Sequence, residues 1–422
     1  MGGRPRHMKK RPLKPGVLTP LRSADFRRLW IAQTISIVGD KINQIGLSIM
    51  VYQVTGSFVQ MGIVFGLTFL PAALFGLIAG PLVDRWDRRR AMIVADALRA
   101  FVVAGMALAA ASGLDSAQKI VIVYALAFVS ATASLFFEPA RMALVPSILG
   151  EHELMAANAL DMTTMSVSEL LGIAFGGALV TTIGYAPAFW FDAGTFVISA
   201  AFVLLVRHRA PAPSRRRLHL GVVWDDLRSG LARIRGDGVL RGVTITYGAL
   251  ALCGGAAITL TVLLALDVYR ASGLTDALRL TVADLATTAG LLIGSVCVGM
   301  SGSGNAGRKY LWGIVGFGVF MLQFLWVPNL WIAAAVFVLA GVANQYFIVP
   351  MISMLQSHTE PDTRGRVFAV RLTIARVATV IGLTGAGVAA HAYGVREMAA
   401  ALGVLVLAVG ALGFSMPRLR NA

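Results

Sequence analysis

Long apolar stretches alternate with short polar gaps along the chain from residue 29 onward. Each stretch holds about as many residues as a helix needs to cross a bilayer, roughly 20 at a rise of about 1.5 Å per residue. The twelve stretches are residues 29–52, 60–83, 91–112, 120–137, 160–182, 187–206, 242–266, 281–301, 310–327, 330–350, 367–392 and 396–416. This pattern predicts an all-α membrane protein with twelve transmembrane helices.

The longest polar gap, residues 207–241, divides the stretches into six and six. We therefore predict a basic tail (1–28), a six-helix half (29–206), a linker (207–241), a second six-helix half (242–416) and a short tail (417–422). Within the linker, Val223, Leu227, Leu231 and Ile234 have helical spacing. They predict an amphipathic helix along the inner membrane surface or under the bundle, unless it is merely a solvated linker helix.

A weak internal repeat relates the two halves. Gly172 and Gly177 in the fifth predicted span recur as Gly382 and Gly387 in the eleventh, and Pro139 and Pro350 precede the two glycine pairs. Two six-helix halves related by a parallel repeat are an architecture of secondary transporters. Glycine is common in this chain, so a chance match is the alternative.

Charge and composition support a membrane protein with a defined orientation. The chain is 57% hydrophobic and has a formal net charge of +16. Nine Lys or Arg residues precede Leu29 and nine lie in the linker, whereas the gaps on the other side hold Lys119, Arg270, Arg279 and Arg396. This positive-inside pattern predicts a multi-pass protein of the bacterial inner (cytoplasmic) membrane with both termini in the cytoplasm. The spans would divide a nucleic-acid face into pieces, so no nucleic-acid partner is expected. The first apolar run is too long for the core of a cleavable signal peptide.

The first predicted span carries a polar stripe. Gln33, Ser36, Asp40, Asn43 and Gln44 recur at helical spacing on an otherwise apolar segment. A charge at that depth costs about 2.5–3.5 kcal/mol on insertion scales, so it indicates function. Because polar groups avoid lipid, the stripe predicts a wet cavity, with buried helix–helix hydrogen bonds as the alternative.

Further charges lie in other predicted spans. Glu169, near the middle of the fifth, has three open roles: binding a cationic substrate, carrying a proton or forming a structural pair. Arg376 needs a carboxylate or carbonyl partner. Asp192 and Asp284 are expected toward the outer ends, as structural or surface-facing groups.

Two more pairings follow from helical geometry. Asp96 and Arg99, at i and i+3, are expected to form a structural pair with the nearby loop. Lys41 points about 100° away from Asp40 around the helix, so it need not neutralise that carboxylate.

The loop after the second span carries a recognisable motif. It reads Gly80-Pro81-Leu82-Val83-Asp84-Arg85-Trp86-Asp87-Arg88-Arg89-Arg90. This resembles the signature loop of the major facilitator superfamily, with Asp87 where the general pattern has glycine. The resemblance implies that Gly80, Asp84, Arg85, Arg88 and Arg89 form a conformational latch. The loop would contact the eleventh span and so hold the two halves in the outward-open state. The alternative is that the arginines only fix topology.

Other segments narrow the resemblance to the macrolide-efflux and enterobactin-exporter branch of drug–proton antiporters. They include Gly39-Asp40, Asp96-Ala97-Leu98-Arg99, Phe137-Glu138-Pro139-Ala140-Arg141 and Gly365-Arg366-Val367. Antiporters of this kind often carry Gly-Pro-x-x-Gly-Gly in the fifth span. This chain keeps the helix-packing glycines Gly172, Gly176 and Gly177 without the proline, so packing against the eighth span is expected and a proline kink is not.

The sequence thus predicts a secondary active exporter of a small amphipathic compound, a drug such as a macrolide, working by proton antiport and alternating access. The expected partners are this substrate, protons and the lipid bilayer, around a monomer. The proton-coupling and substrate residues would be Asp40, Asn43, Gln44, Gln33, Glu169 and Arg376. No Walker A run, metal-ligand cluster or His-Glu-x-x-His run occurs, so no cofactor, no metal and no enzymatic activity are expected. The alternatives are an exporter of a siderophore or other endogenous metabolite, and a lysophospholipid-type flippase.

Overall fold

The computed structural model describes residues 18–83, 85–207, 220–301, 305–359 and 361–422. Six long helices form the first half: α1 (Ala24–Thr55), α2 (Phe58–Val83), α3 (Arg88–Ala111), α4 (Ser116–Ile148), α5 (Glu151–Ile183) and α6 (Tyr185–Leu204). The linker contributes α7 (Leu220–Gly236). Six more form the second half: α8 (Gly238–Leu263), α9 (Asp276–Met300), α10 (Ala306–Gln323), α11 (Leu330–Ser357), α12 (Pro361–Tyr393) and α13 (Val395–Phe414). A short helix, α14 (Pro417–Arg420), follows them.

The all-α architecture predicted from the sequence is confirmed, and its twelve long helices lie at the twelve predicted spans. Within the described residues, ten are long and apolar enough to cross a membrane. The two that are not among them are α1, which carries the polar stripe, and α10, which begins near Arg308 and Lys309. Large apolar side chains such as Phe101, Val121 and Met300 are exposed on the outside of the bundle, as expected for a surface that faces lipid.

Local sequence sets where several helices begin and end. Asp115 accepts a hydrogen bond from the Gln118 amide at the start of α4 (2.8 Å), and Asn329 does the same for the first turn of α11. The helix α1 ends at Gly56, whose φ of 60° lies in the left-handed region that favours glycine. These caps set the starts of α4 and α11 and the end of α1 within a few residues of their apolar stretches.

The linker helix α7 packs under the bundle. Ile234 is buried, Leu227 and Leu231 pack against the apolar core, and Gly230 lies against the backbone of Arg366 in α12. Of the two readings of this helix, packing under the bundle therefore fits better than a solvated linker. The basic tail before residue 18 and the Arg215–Arg217 run lie outside the described residues.

The two halves meet mainly along two seams. One joins α2 to α12 and the other joins α5 to α9. We call the end of the bundle where α1 begins and α7 lies the basic end. At the opposite end, the Tyr52 hydroxyl of α1 bonds Asp267 (3.3 Å) and Arg270 between α8 and α9, and Thr181 of α5 bonds Thr275 (3.1 Å). These contacts between halves close the opposite end.

Candidate functional site

A cavity of about 600 Å³ lies between the two halves, and we call it the central cavity. Its walls come from α1, α2, α3, α4 and α5 on one side and from α8 and α9 on the other. Among the described residues, the charged side chains on it are Asp40, Lys41, Arg99 and Asp284. A charged space shared by both halves is suited to a solute that must pass between them.

A second cavity of about 830 Å³ continues from it toward the basic end, and we call it the vestibule. The vestibule lies between α1, α4 and α5 and shares Asp40, Arg99 and Ser134 with the central cavity. Together, the two cavities extend from the basic end to the middle of the bundle and meet at three polar residues.

The structure places all of the polar stripe of α1 on these cavities. Gln33 and Ser36 line the vestibule, Asn43 and Gln44 line the central cavity, and Asp40 lines both. The stripe predicted from helical spacing is therefore a cavity wall. The alternative, a buried hydrogen bond between helices, is found for Asn43, whose side chain also donates to Asp192 of α6.

Asp40 forms an ion pair with Arg99 of α3. The Asp40 side chain is 44% exposed, whereas that of Arg99 is only 11% exposed. The Arg99 guanidinium also lies over the Phe196 ring, 4.0 Å from its centroid. Arg99 is thus a fixed cation, and Asp40 reaches from it into the cavity. The carboxylate is neither turned toward lipid nor sealed in a dry pair.

The expected pair between Asp96 and Arg99 is wrong. Asp96 is fully buried and accepts a hydrogen bond from the Ser199 hydroxyl of α6 (2.6 Å). Arg99 turns instead toward Asp40, because the partner across the cavity competes with the neighbour on the same helix. The i, i+3 rule describes what two side chains can reach, and tertiary packing decides which contact forms.

Asn43 connects α1 to α6. Its amide donates to the Asp192 carboxylate at 2.6 Å, and Thr195 donates to the same carboxylate at 3.1 Å. Asp192 is fully buried, so the surface-facing reading of this residue is wrong and the structural one fits. The stripe therefore presents Asn43 to the cavity while fixing α1 against its neighbour.

Lys41 pairs with Glu169 of α5, with 3.3 Å between the ammonium nitrogen and a carboxylate oxygen. Lys41 also donates to the Gln44 side chain at 3.4 Å. As helical geometry indicated, Lys41 does not take Asp40 as its partner. Of the three open roles of Glu169, pairing is the one seen in this state.

Asp284 and Arg376 lie at different places. Asp284 lines the central cavity from α9, so of its two expected roles the surface-facing one is wrong. Arg376 donates to the Ala72 carbonyl of α2 at 3.1 Å, in the seam between α2 and α12. The expected carbonyl partner is thus found, away from the residues of the polar stripe.

One charged cluster on the vestibule did not figure among the predicted site residues. Arg141 of α4 makes two hydrogen bonds to Glu138, at 2.9 and 3.1 Å, and a third to Asp161 of α5 at 2.7 Å. This arrangement joins α4 to α5 through a mostly buried guanidinium. The spacing of Glu138 and Arg141 at i and i+3 was the available signal, but Asp161 could not be paired with them from sequence.

Comparison with known proteins connects this arrangement to a family. The family model described as Major Facilitator Superfamily matches residues 29–310. The chain belongs to the major facilitator superfamily. Its charged central cavity is therefore set in a fold of membrane transporters.

Two bacterial efflux proteins resemble the chain along most of its length. The multidrug efflux pump Tap of Mycobacterium tuberculosis is 27% identical over 404 residues, covering 92% of this chain and 93% of that protein. The macrolide efflux protein A of Streptococcus pyogenes is 23% identical over 391 residues, covering 91% of this chain and 94% of that protein.

Two solved transporter structures share the fold. A bacterial homolog of the human lysosomal transporter Spinster, in an inward-facing and unoccupied conformation, superposes with a TM-score of 0.72 at 14% identity. That comparison covers 95% of this chain and 98% of the other. The nucleoside transporter NupG superposes with a TM-score of 0.68 at 11% identity, over 93% of this chain and 98% of the other.

The superfamily signature loop joins α2 to α3, with Gly80 in the last turns of α2, and its Asp84 lies outside the described residues. Arg88 donates to the Ala143 carbonyl in α4 at 3.1 Å, and Arg89 binds the final carbonyls of α6. Cations there complement the negative end of a helix dipole. Asp87 accepts a hydrogen bond from the Arg90 amide at 2.8 Å and so caps α3, which explains an acid where the general pattern has glycine.

The three glycines of α5 serve two contacts. Gly172 and Gly176 lie directly against the backbone of α1, where an added Cβ would be 2.9 Å from the Val38 carbonyl and 3.0 Å from the Ile42 Cα. Only Gly177 faces α9, where an added Cβ would overlap Thr281. The expected packing against the eighth span, α9, is thus found for Gly177 alone, whereas Gly172 and Gly176 pack against α1.

The repeat seen in the sequence corresponds to equivalent contacts. Gly382 of α12 packs on the backbone of α8, the first helix of its half, as Gly172 packs on α1. Gly387 packs on α2, the second helix of the other half, as Gly177 packs on α9. Each half therefore uses its fifth helix to contact its own first helix and the second helix of its partner, as a parallel repeat requires.

Proposed function

We propose that this protein is a secondary active exporter that moves small amphipathic compounds, drugs among them, across the cell membrane by proton antiport. The observation that carries the proposal is the central cavity, which holds charged side chains between the two halves. The named relatives, a multidrug efflux pump and a macrolide efflux protein, support drugs as the class of substrate.

The seams support alternating access. Close glycine contacts along α2–α12 and α5–α9 give the halves surfaces on which to rock, and hydrogen bonds close the end opposite the vestibule. By the positive-inside rule the basic end lies in the cytoplasm, with both termini. The arrangement is then the state that loads substrate from the cytoplasm, in a protein that works as a monomer.

Two ion pairs on the cavity supply groups for proton coupling. Asp40 binds Arg99 and Glu169 binds Lys41, and each pair is formed by side chains from different helices. Protonation of a carboxylate releases its cation, so a proton taken up on one side alters the contacts that hold α1 to α3 or α5. A proton moved through 100 mV gains about 2.3 kcal/mol, which shifts a two-state equilibrium roughly fiftyfold.

The remaining predicted residues have roles around this exchange. Gln33, Asn43 and Gln44 offer hydrogen bonds to the solute along its route. Arg376 holds the α2–α12 seam through the Ala72 carbonyl. The signature loop, with Gly80, Asp84 and its arginines, would latch α12 when the basic end closes. In this state Arg88 and Arg89 bind carbonyls of their own half.

The test is drug susceptibility of an efflux-deficient bacterial host expressing the protein, measured with macrolides, cationic dyes and neutral amphiphiles. We expect the inhibitory concentration of at least one of these classes to rise above that of the empty-vector host. The rise should vanish with a protonophore, while Asp115→Asn, a conservative change at an exposed helix cap, should keep it. An unchanged inhibitory concentration for every class, with the protein present in the membrane, would show the proposal to be wrong.

A further inference from the structure

Asp284 differs from the other carboxylates on the two cavities. Asp40 pairs with Arg99, and Glu138 and Asp161 both pair with Arg141. Among the residues that the structure describes, Asp284 is the cavity-lining acid for which no ion pair or hydrogen bond is found. A carboxylate in a membrane protein is costly without a partner, so this position is poised for a cation from outside the protein.

No cation around Asp284 contacts it directly among the described residues. Lys41 lines the same cavity and attracts the Asp284 carboxylate through space, but its ammonium pairs with Glu169 at 3.3 Å and bonds Gln44 at 3.4 Å. Arg99 is held by Asp40 and the Phe196 ring. Of the helices packed on α9, the described part of α11 carries no charged side chain, and Asp276 and Arg279 pair with each other at the start of α9.

Charge balance favours the same occupant. The described acids lining the two cavities are Asp40, Glu138, Asp161 and Asp284, against the bases Lys41, Arg99 and Arg141. Four acids against three bases leave one negative charge, before Glu169 is counted beside Lys41. With Glu169 the excess is two negative charges, so the lining favours a positively charged solute over a neutral or anionic one.

An apolar pocket opens beside Asp284. A cavity of about 330 Å³ within the second half shares Ile258, Thr261 and Thr287 with the central cavity. Asp284 lines the central cavity one turn before Thr287 on α9, on the same helix face as this residue that both cavities share. The pocket walls include Phe317 and Phe347, whose rings pack edge to face with centroids 5.9 Å apart.

We propose that Asp284 and this aromatic pocket form the substrate subsite of the second half. It would take an organic cation with one positive charge and an adjoining aromatic or apolar body. The charged group binds the Asp284 carboxylate, and the body enters between α8, α9 and α11, where aromatic walls favour flat rings. This inference rests on the proposed export function and adds the residue that selects for a cation.

The test uses purified protein and two probes of similar shape, tetraphenylphosphonium and its neutral analogue triphenylphosphine oxide. Binding is measured by calorimetry for the wild type, Asp284→Asn, Asp284→Glu and the matched control Asp115→Asn, which makes the same chemical change at an exposed helix cap. We expect Asp284→Asn to weaken binding of the cation at least about tenfold, because the substitution removes the Coulomb attraction between the carboxylate and the cation in a cavity of low dielectric constant. Asp284→Glu should recover most of that loss, and Asp115→Asn should match the wild type.

The neutral probe and the thermal unfolding midpoint separate recognition from folding. A purely structural Asp284 would lower the midpoint and weaken both probes, and that outcome would overturn the proposal. Wild-type affinity of Asp284→Asn for tetraphenylphosphonium, or no binding of this cation by the wild type, would overturn it as well. If the wild type exports only neutral compounds in the susceptibility panel, the export function stands and the cation subsite is wrong.

Discussion

The contacts that close the end opposite the vestibule centre on one hydroxyl. The Tyr52 hydroxyl donates to Asp267 at 3.3 Å and accepts from Arg270, and Arg270 pairs with Asp267 at 2.9 Å. Tyr52 belongs to α1, whereas the two charged residues lie between α8 and α9. Replacing Tyr52 by phenylalanine keeps the ring and removes the two hydrogen bonds that this hydroxyl makes between the halves, while those of Gln53 with Asp276 and Thr181 with Thr275 remain.

The size of the effect follows from exposure. A hydrogen bond to a charged group contributes about 1.5–3 kcal/mol when buried. Arg270 is 62% exposed, so water replaces much of the lost interaction. We therefore expect Tyr52→Phe to remove about 1 kcal/mol of stabilisation. The Asp267–Arg270 pair survives within the second half. The substitution therefore destabilises only the conformation in which this end is closed. A change of about 1 kcal/mol shifts the ratio of open to closed molecules at this end roughly fivefold.

The assay is a distance measurement by double electron–electron resonance. Spin labels at Leu114 and Trp326, in exposed loops of the first and second half at this end, report the opening once Cys253 and Cys297 are replaced. We expect Tyr52→Phe to raise the ratio of long to short distances between the labels roughly fivefold. An unchanged distance distribution would refute the reasoning.

The control is Tyr393→Phe, which makes the same chemical change at an exposed tyrosine at the end of α12. No hydrogen bond of this hydroxyl is found among the described residues, so we expect the distribution of the wild type. A shift of similar size in the control would assign the effect to the removal of a hydroxyl in general and not to the contact between halves.

Two further predictions concern stability in detergent. Gly62→Ala would place a Cβ 2.9 Å from two carbonyls of α12, so overpacking of the α2–α12 seam should cost about 1–3 kcal/mol and lower the unfolding midpoint. Gly385→Ala meets open space and should not lower it; equal midpoints for the two variants would contradict this view of the seam. Asp161→Asn removes one carboxylate from Arg141 while Glu138 remains, so we expect a loss of about 1–3 kcal/mol. A melting curve that matches the wild type would mean that the α4–α5 link is not stabilising.

The sequence was sufficient for the architecture because its signals are local. The length of the apolar stretches predicts the twelve long helices. The helical spacing of Gln33, Ser36, Asp40, Asn43 and Gln44 predicts that they share one helix face. The glycine offset between the fifth and eleventh spans reflected contacts that repeat in the structure.

The partners of the charges could not be predicted, because they depend on which helices become neighbours. Helical spacing predicts Asp96 as the partner of Arg99, yet α1 brings Asp40 within reach. The position of Asp284 toward an outer end predicts a structural or surface-facing group, yet α9 turns it toward the cavity. Sequence spacing fixes the face of a residue on its helix, whereas the direction of that face depends on packing between distant segments.

Coupling through Asp40 is tested most directly by proton flux in proteoliposomes. The protein is reconstituted with an internal pH indicator, and a compound that it exports in the susceptibility panel is added on one side. We expect the wild type and Asp115→Asn to move protons when this compound is added, and Asp40→Asn to move none while it remains folded. Proton movement by Asp40→Asn equal to that of the wild type would contradict the assignment of coupling to the carboxylate that α1 holds in the cavity.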